Sequence, residues 1–380
     1  MFKNYIKIAF RRFWRQKAFT IINVLGLSSG LAISLVMLVT IQFMRSYDSF
    51  HENVNNLYQV GLEYELEDNN IKSYASPGIW GQYLQNNYPE VIMNTRIKQS
   101  GELLFNTFKE NGDVDKRYIE SKGVGVDSTF FQMFSFPLLK GNINEVLIDP
   151  NSIVITQEFS DKYFGNENPM GRTIVINEKY SLNITGVLEN FPDNTMYACD
   201  YIFHISLFEK FGFDINGEKG NPFQTYILLE EGTTLDNIKA SFKDNLYERF
   251  DRDVDYEPFF IYVKDSYVYG ESMNSIVMNI FAAIALFILI MACINFMNLS
   301  TATSIHRSKE IAIRKIEGAS RKQIILQLLS ESILLSLISL NIAIVLAELI
   351  FEYFDKAYGQ NIPFNLMDLN LWLQLIALET

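Results

Sequence analysis

The chain has 380 residues, enough for two domains, and 48% of them are hydrophobic while only 20% are charged. Its 32 Lys and Arg against 44 Asp and Glu leave a net charge of −12, which excludes nucleic acid as a partner because phosphate binding needs basic surface. The two cysteines and three histidines show no metal-ligand spacing, and no phosphate-binding loop, G-x-S-x-G elbow or dinucleotide fingerprint occurs, so no enzyme activity, cofactor or metal is expected.

Charge is uneven along the chain. Residues 1–17 hold Lys3, Lys7, Arg11, Arg12, Arg15 and Lys17 and no acid. Phe2, Tyr5, Ile6, Ala9, Phe10 and Phe13 recur at helical spacing beside them. This predicts a cationic amphipathic helix over residues 1–18, lying on the anionic cytoplasmic leaflet with membrane lipid as its partner. Residues 19–44 follow without a charge and are long enough to cross a hydrocarbon core of roughly 30 Å. A cleaved signal peptide is the rival reading, but the apolar stretch is too long and no A-x-A-like site follows it. Gly26 and Gly30 form a G-x-x-x-G within the span, a spacing that lets a second helix approach closely.

Residues 45–272 carry 19 basic and 36 acidic side chains. Ser152–Thr156 reads as a strand, Gln157–Phe164 as a helix stopped by Gly165, and Thr173–Asn177 with Tyr180–Val187 as a hairpin. Thr225–Leu229 reads as a strand, Thr233 and Asp236 start a helix running to about Phe250, and Pro258–Lys264 reads as a further strand. The mixture indicates an α+β domain of two lobes. The run Asp251, Asp253, Asp255, Glu257 has alternate spacing that invites a calcium reading, but the EF-hand glycine and terminal ligand are absent, so a solvated loop is expected.

A second span is predicted over residues 275–297, a basic loop over 298–323, a third span over 324–351, a short external loop over 352–368 and the start of a fourth span over 369–380. The fourth apolar run covers about half a bilayer, so a chain that continues further in its natural form is expected. Arg307, Lys309, Arg314, Lys315, Arg321 and Lys322 outnumber Glu310 and Glu317 in the basic loop. By the positive-inside rule this loop and the N-terminus are cytoplasmic, and residues 45–272 lie outside. Ile305, Ala312, Ile313 and Ile316 give a partial apolar face, Gly318 breaks the helix, and Ser320 with Gln323 forms a capping box that starts the next one. A short amphipathic helix held beneath a membrane suits a groove on a cytoplasmic partner. Glu331 and Glu348 lie in the third span, where a carboxylate is a candidate for an intramembrane polar contact.

The block EIAIRKIEGASRKQIILQLLSESILL, with Arg314, Lys315, Gly318, Ala319, Glu331 and Ser332, resembles the signature of FtsX-like permeases, the membrane subunits of MacB-type ABC systems. Glu317 stands where that family more often has an apolar residue. The stretch from Gly123 to Asn190, with Gly141, Phe164, Gly165, Pro169, Gly171 and Gly186 at turn positions, is similar to the MacB-like periplasmic core. The N-terminus resembles that family's first cytoplasmic helix and span. The resemblance implies an α-helical membrane protein with an inserted α+β extracytoplasmic domain, multi-pass in a bacterial cytoplasmic (inner) membrane. It implies that residues 305–318 are a coupling helix, with Arg307, Glu310, Ile313, Arg314, Lys315, Gly318 and Ala319 docking a cytoplasmic ABC ATPase that binds the ATP. It implies as further partners a second permease copy (homodimer or paralogous half) and a periplasmic adaptor or cargo: a peptide, lipoprotein or hydrophobic toxin. Two alternatives stand beside export: a non-transporting mechanotransmitter or sensor that regulates an extracytoplasmic protein, and a membrane-anchored receptor with no ATPase.

Overall fold

The computed structural model describes residues 2–66, 69–109, 111–220, 222–233, 235–249, 256–270, 274–358 and 362. Its first elements are helices α1 (Phe2–Arg15) and α2 (Lys17–Arg45). Then come β1 (Leu57–Leu66), β2 (Asn69–Ser73), α3 (Trp80–Asn87), β3 (Val91–Gln99), β4 (Leu103–Phe108), β5 (Val114–Glu120), β6 (Gly123–Val126) and α4 (Phe130–Met133). The middle holds β7 (Leu138–Lys140), β8 (Ser152–Thr156), α5 (Gln157–Phe164), β9 (Thr173–Ile176), β10 (Tyr180–Leu188), β11 (Tyr201–His204) and α6 (Leu207–Lys210). The chain then runs through β12 (Gln224–Leu229), α7 (Leu235–Arg249), β13 (Tyr256–Tyr262), α8 (Val263–Tyr269), α9 (Asn274–Ile316) and α10 (Arg321–Tyr358). The helices at the two ends, residues 1–44 and 275–380, form one unit, and residues 45–274 form another.

Among the described residues of the helical unit three helices are long and apolar enough to cross a membrane: Lys17–Arg45, Asn274–Ala302 and Arg321–Lys356. α2 packs between the other two through two different faces. Gly26, Gly30 and Ser34 meet α9. A Cβ on Gly30 would stand 2.6 Å from Ala292 Cβ, one on Gly26 would stand 2.9 Å from Asn295 Nδ2, and Ser34 Oγ donates to the Ala285 carbonyl at 3.0 Å. Leu35 and Val39, one turn apart on another face, pack with Leu340, Ile344 and Ala347 of α10. Gly26 and Gly30 lie on the face of α2 turned to α9, and Ser34 extends that face by four more residues.

The expected basic loop is corrected. Residues 298–316 are not a loop with a separate short helix: α9 continues unbroken from Asn274 to Ile316. Nothing between Asn298 and Glu317 is a Gly or Pro, so no residue there gives the helix a reason to stop. At 1.5 Å per residue its 43 residues reach about 65 Å, roughly twice the hydrocarbon thickness. α10 likewise runs on to Tyr358, so the expected external loop begins as helix. The fourth apolar run, residues 369–380, lies outside the described residues.

Among the described residues the inserted unit is built on one mixed sheet of 13 strands in the order β13-β1-β12-β3-β6-β11-β8-β10-β9-β4-β5, with β2 on β1 and β7 on β10. Most neighbours are antiparallel; β8–β10 and β6–β11 are parallel. Alternation along the strands distributes three apolar cores over the two faces. Val154, Ile202, Tyr226 and Leu228 point into one core with Phe130 and Phe134. Their strand neighbours Ile153, Ile155, Tyr201 and Phe203 point the other way and pack under α5 with Phe159 and Tyr163. Ile227 and Leu229 pack on a third core with Trp80 and Leu84 of α3 and Phe242 of α7. The two expected lobes therefore share a single unbroken sheet, and it is the helical layer on one face that divides.

The local readings hold as elements, with boundaries shifted by one residue in β9, β10 and β12 and by two at each end of β13. β8 is buried along its whole length. Thr156 Oγ1 caps α5 by accepting from Phe159 N at 3.2 Å, and Gly165 ends it at φ 58°. β9 and β10 pair as the expected hairpin. The strand expected over Pro258–Lys264 ends at Tyr262, and Val263 and Lys264 open α8 instead. The acidic residues Asp251, Asp253 and Asp255 lie outside the described residues.

The seam between α2 and α9 makes a direct prediction. Gly30→Leu must push the helices apart or force strained rotamers, at a cost of about 1–3 kcal/mol. The variant in detergent is expected to melt several degrees below the parent, with Gly30→Ala in between. A Gly30→Leu midpoint equal to the parent's contradicts the close approach.

Candidate functional site

The basic end of α9 and the turn after it form the first candidate element. Beyond the apolar part of the helix, Ile313 and Ile316 stand 57% and 86% exposed, three residues apart on one side. Lys315 is exposed between them. Arg307, Glu310 and Arg314 belong to the same helix backbone, and their side chains fall outside the described residues. Gly318 then takes φ 92°, with no atom within 4 Å of where a Cβ would sit. Glycine is needed there for the left-handed backbone and not for space. Ala319 is half-buried in the turn. Ser320 N donates to Gln323 Oε1 at 3.0 Å while Gln323 N donates to Ser320 Oγ at 3.4 Å, the reciprocal capping box that starts α10. The result is two long helices joined by an elbow of four residues, 317–320.

Glu331 is 4% exposed and not solitary. Arg12 Nη1 of α1 donates to its Oε2 at 2.8 Å, and Gln327 Nε2, one turn earlier on α10, donates to its Oε1 at 3.1 Å. α1 thus packs against α10. Its inward side contributes Arg12 and the buried Ala9, and its outward side carries Phe10 and Trp14 exposed among Lys7, Arg11 and Arg15. The Lys17 ammonium sits 4.7 Å from the Trp14 ring centroid. Around the ion pair a cleft opens, with Gln16, Thr20, Ser300 and Ser332 as its polar lining and Phe13, Phe19, Phe296 and Leu335 as its apolar lining. α1, α2, α9 and α10 all contribute. The pairing joins residues 319 apart in sequence, so no local pattern could have announced it.

In the inserted unit the buried titratable groups are structural in arrangement. Arg96 clamps Asp127 through two hydrogen bonds, Nε to Oδ2 at 2.9 Å and Nη2 to Oδ1 at 2.7 Å, and its Nη1 donates to the carbonyls of Gly78 and Ile215. Asp48, in a left-handed conformation at φ 52°, accepts from Thr195 Oγ1 and from Met196 N. His51 lies beside it, Nε2 to Oδ1 at 3.8 Å, walled by Phe50, Phe134 and Phe136 and accepting from Ser135 N at Nδ1. Burial pushes the Asp48 carboxyl up to about 7 and the His51 imidazole down to about 4. The separation is too long for a hydrogen bond, and both shifts favour the uncharged forms, so between about pH 4 and 7 the two form a neutral pair and not an ion pair. Cys199 is buried, and burial raises its thiol well above the ordinary range, which leaves it inert. Among the described residues no group of three or more His, Cys, Asp or Glu could hold a metal ion.

The structure therefore separates the expected site residues into three places. Gly318 and Ala319 form the elbow, with Ile313 and Lys315 exposed on the helix before it. Gly26 and Gly30 form the α2–α9 seam. Glu331 forms a third place with Arg12, which sequence reasoning had assigned only to a surface helix.

Comparison with known proteins bears on the same segments. The family pattern of the MacB-like periplasmic core domain matches residues 20–245, and that of the FtsX-like permease C-terminal region matches residues 282–378. A macrolide export ATP-binding/permease protein MacB of Neisseria meningitidis is 27% identical over 245 residues, 63% of this chain and 37% of its own length. The chain thus spans about 37% of the length of the curated relatives it matches. Among solved structures, a domain assigned to a permease protein from Porphyromonas gingivalis is similar with a TM-score of 0.47 at 17% identity, covering 56% of this chain and 91% of that one. The periplasmic region of MacB from Actinobacillus actinomycetemcomitans gives a TM-score of 0.40 at 14% identity, covering 60% and 97%.

The neutral pair predicts an unusual pH response. The folded Asp48, at about 7, holds a proton that the unfolded chain releases near 3.8, so alone it lowers stability as pH rises from about 4 to 7. The folded His51, at about 4, refuses a proton that the unfolded chain takes up near 6.5, so alone it lowers stability as pH falls from 6.5 to about 4. Between pH 4 and 6.5 the two slopes cancel. Asp48→Asn is expected to expose the histidine slope, with stability rising with pH over that window, and His51→Phe the opposite slope. Denaturant unfolding at several pH values checks this; parallel curves for the parent and both variants refute it.

Proposed function

Because the chain belongs to the family of FtsX-like permeases that carry a MacB-like periplasmic core domain, we propose that it is a permease subunit of an ABC transport system in the bacterial inner membrane. In this reading the chain is not an enzyme and holds no cofactor. A separate cytoplasmic ATPase binds and hydrolyses ATP and docks on the basic end of α9. A second permease copy, identical or paralogous, completes the transporter. The inserted unit lies outside the cytoplasm and converts motion of the helices into work on a peptide, lipoprotein or hydrophobic toxin.

The observation that carries the reading is the exposed Ile313 and Ile316 at the end of a 43-residue helix. Two aliphatic side chains at i and i+3 on a cationic helix are the anchors that a groove takes from an amphipathic helix. The helix behind them is continuous with the second span, so a push at Ile316 is delivered along a rod and not absorbed in a loop. The elbow at Gly318 lets α9 and α10 change angle while each stays helical.

Two experiments test this. The full chain is expected to co-purify with a P-loop ATPase in mild detergent. Recovery of that ATPase should fall at least tenfold in Ile313→Glu/Ile316→Glu, with an unchanged melting midpoint. No ATPase from the parent, with an extracytoplasmic partner recovered instead, overturns the transporter reading in favour of a membrane-anchored receptor. Gly318→Leu, which costs roughly 1–2 kcal/mol of backbone strain at a left-handed position, should keep ATPase binding but uncouple hydrolysis from output. Coupled activity equal to the parent's removes the elbow from the mechanism. Cargo leaving reconstituted vesicles separates export from the alternative, a mechanotransmitter that only activates a partner.

A further inference from the structure

We propose that Tyr47 and Tyr267 form a clasp between the two segments of chain that join the inserted unit to the spans, so that α2 and α9 move that unit as one rod and not separately. The inference rests on the transmission of motion proposed above and adds the device that makes it rigid.

A domain inserted between two helices hangs on two connectors. A connector with few contacts opens at little free-energy cost, and motion is lost in it. Neither connector here is of that kind. The incoming one, residues 46–56, turns at Asp48 in its left-handed conformation, φ 52°, which a residue other than glycine keeps only when its surroundings hold it. The loop at 194–196 does so. Asp48 N donates to the Asn194 carbonyl at 3.0 Å, and Asn194 Nδ2 donates to the Ser46 carbonyl at 3.0 Å and to Ser46 Oγ at 3.1 Å. The Asp48 carboxyl accepts from Thr195 Oγ1 and Met196 N.

The outgoing connector begins as α8, which packs on β1 and β13 with Val263 and Val268 buried. Lys264 and Tyr267 are three residues apart and share one face of that helix. This face meets the incoming connector at two points. The Tyr267 ring stacks on the Tyr47 ring, parallel within 9° and with centroids 3.5 Å apart, and Lys264 Nζ donates to Asn55 Oδ1 at 2.9 Å. The first residue of α9 is tied to the same place: Asn274 Nδ2 donates to the Tyr267 carbonyl at 2.8 Å. Tyr267 thus holds Tyr47, two residues beyond α2, with its ring, and the start of α9 with its backbone. Further along, the seam of Gly26, Gly30 and Ser34 joins the same two helices. α2 and α9 are therefore fastened at two levels, whereas α9 and α10 are joined by the elbow alone at their shared end.

The test is the spread of distances between the two fastened ends. Spin labels are placed on Arg45→Cys and Ile276→Cys, both exposed positions, in the full chain carrying Cys293→Ala in lipid nanodiscs. Pulsed electron resonance on the parent is expected to give one narrow distribution. Tyr267→Ala removes the ring and keeps the backbone acceptor, and should widen the distribution roughly twofold; Tyr267→Phe should leave it narrow. Hydrogen exchange supplies a second reading. In Tyr267→Ala the amides of residues 46–50 should exchange about tenfold faster, although none of them is altered, while the buried strand β8 stays as slow as in the parent. If β8 loosens too, Tyr267→Leu, which keeps bulk and loses the stack, is read instead. A broad distribution in the parent, an equally narrow one in the ring-less variant, or unchanged exchange at 46–50 overturns the proposal. So does the same loosening in Tyr269→Ala, whose side chain stands 59% exposed. No ATPase takes part in these measurements, so failure of the clasp and failure of the transporter reading are distinguishable.

Discussion

A carboxylate inside an apolar helix must be paired, neutralised or brought to water, and Glu331 is the carboxylate on which the arrangement of the helical unit turns. It lies ten residues into α10, about 15 Å from the helix start, too deep to be solvated from that end without rearrangement. Arg12 meets it. That single demand explains why α1 is more than a topogenic cluster of positive charges. One of its cations faces inward, and the helix is anchored to the third span through it. It also explains the orientation of the rest of α1: with Arg12 and Ala9 turned inward, Phe10, Arg11 and Trp14 are left facing outward. Cutting the pair at either side would strand a buried charge, which costs more than the pair contributes.

The α2–α9 seam follows a different logic. Lipid tails are as apolar as leucine, so helices in a bilayer gain little by hiding apolar side chains from it, and association depends on close packing and polar contacts. Gly26 and Gly30 supply the closeness, and Ser34, one more turn along the same face, supplies a hydrogen bond to the Ala285 carbonyl. α9 is thereby held along its apolar part, and Ile313, Lys315 and Ile316 stand exposed near the other end of the same lever. The clamp depends on residues without bulk, and the lever on a run of 43 without a helix breaker.

Much of this was legible in the sequence because it is local. The spans, the amphipathic stripe, the G-x-x-x-G, the break at Gly318 and the Ser320–Gln323 box are each written within a few turns, and the comparisons support the family reading. In the inserted unit β8, α5, its Thr156 and Gly165 ends and the following hairpin were readable for the same reason. What was not readable is what depends on distant partners. The Arg12–Glu331 pair needs two helices from opposite ends of the chain. The single sheet needs strand pairings such as β1 with β12 and β13, set by tertiary packing. The continuity of α9 was in principle available: the change from apolar to basic marks where a membrane ends, and a helix does not end there unless a Gly, Pro or cap tells it to.

The two units meet the problem of buried polar groups in opposite ways, and the contrast follows from their surroundings. In the helical unit the buried Glu331 keeps its charge, and the desolvation of both partners is offset by their direct contact and by Gln327. In the inserted unit Asp48 and His51 are both fully enclosed, each at 0% side-chain exposure, among Phe50, Phe134 and Phe136. There the charges are given up. The carboxyl keeps its proton against an ordinary value of 3.8 and the imidazole refuses one against an ordinary value of 6.5. Formally the proton that the histidine declines is the one the aspartic acid retains, so folding leaves the proton count of the pair unchanged through the mildly acid range. Either group alone would tie stability to external pH. Together they satisfy Thr195, Met196 and Ser135 with polar partners while contributing no net proton linkage. Wherever the surrounding pH varies, a buried pair is therefore a safer element than either of its members.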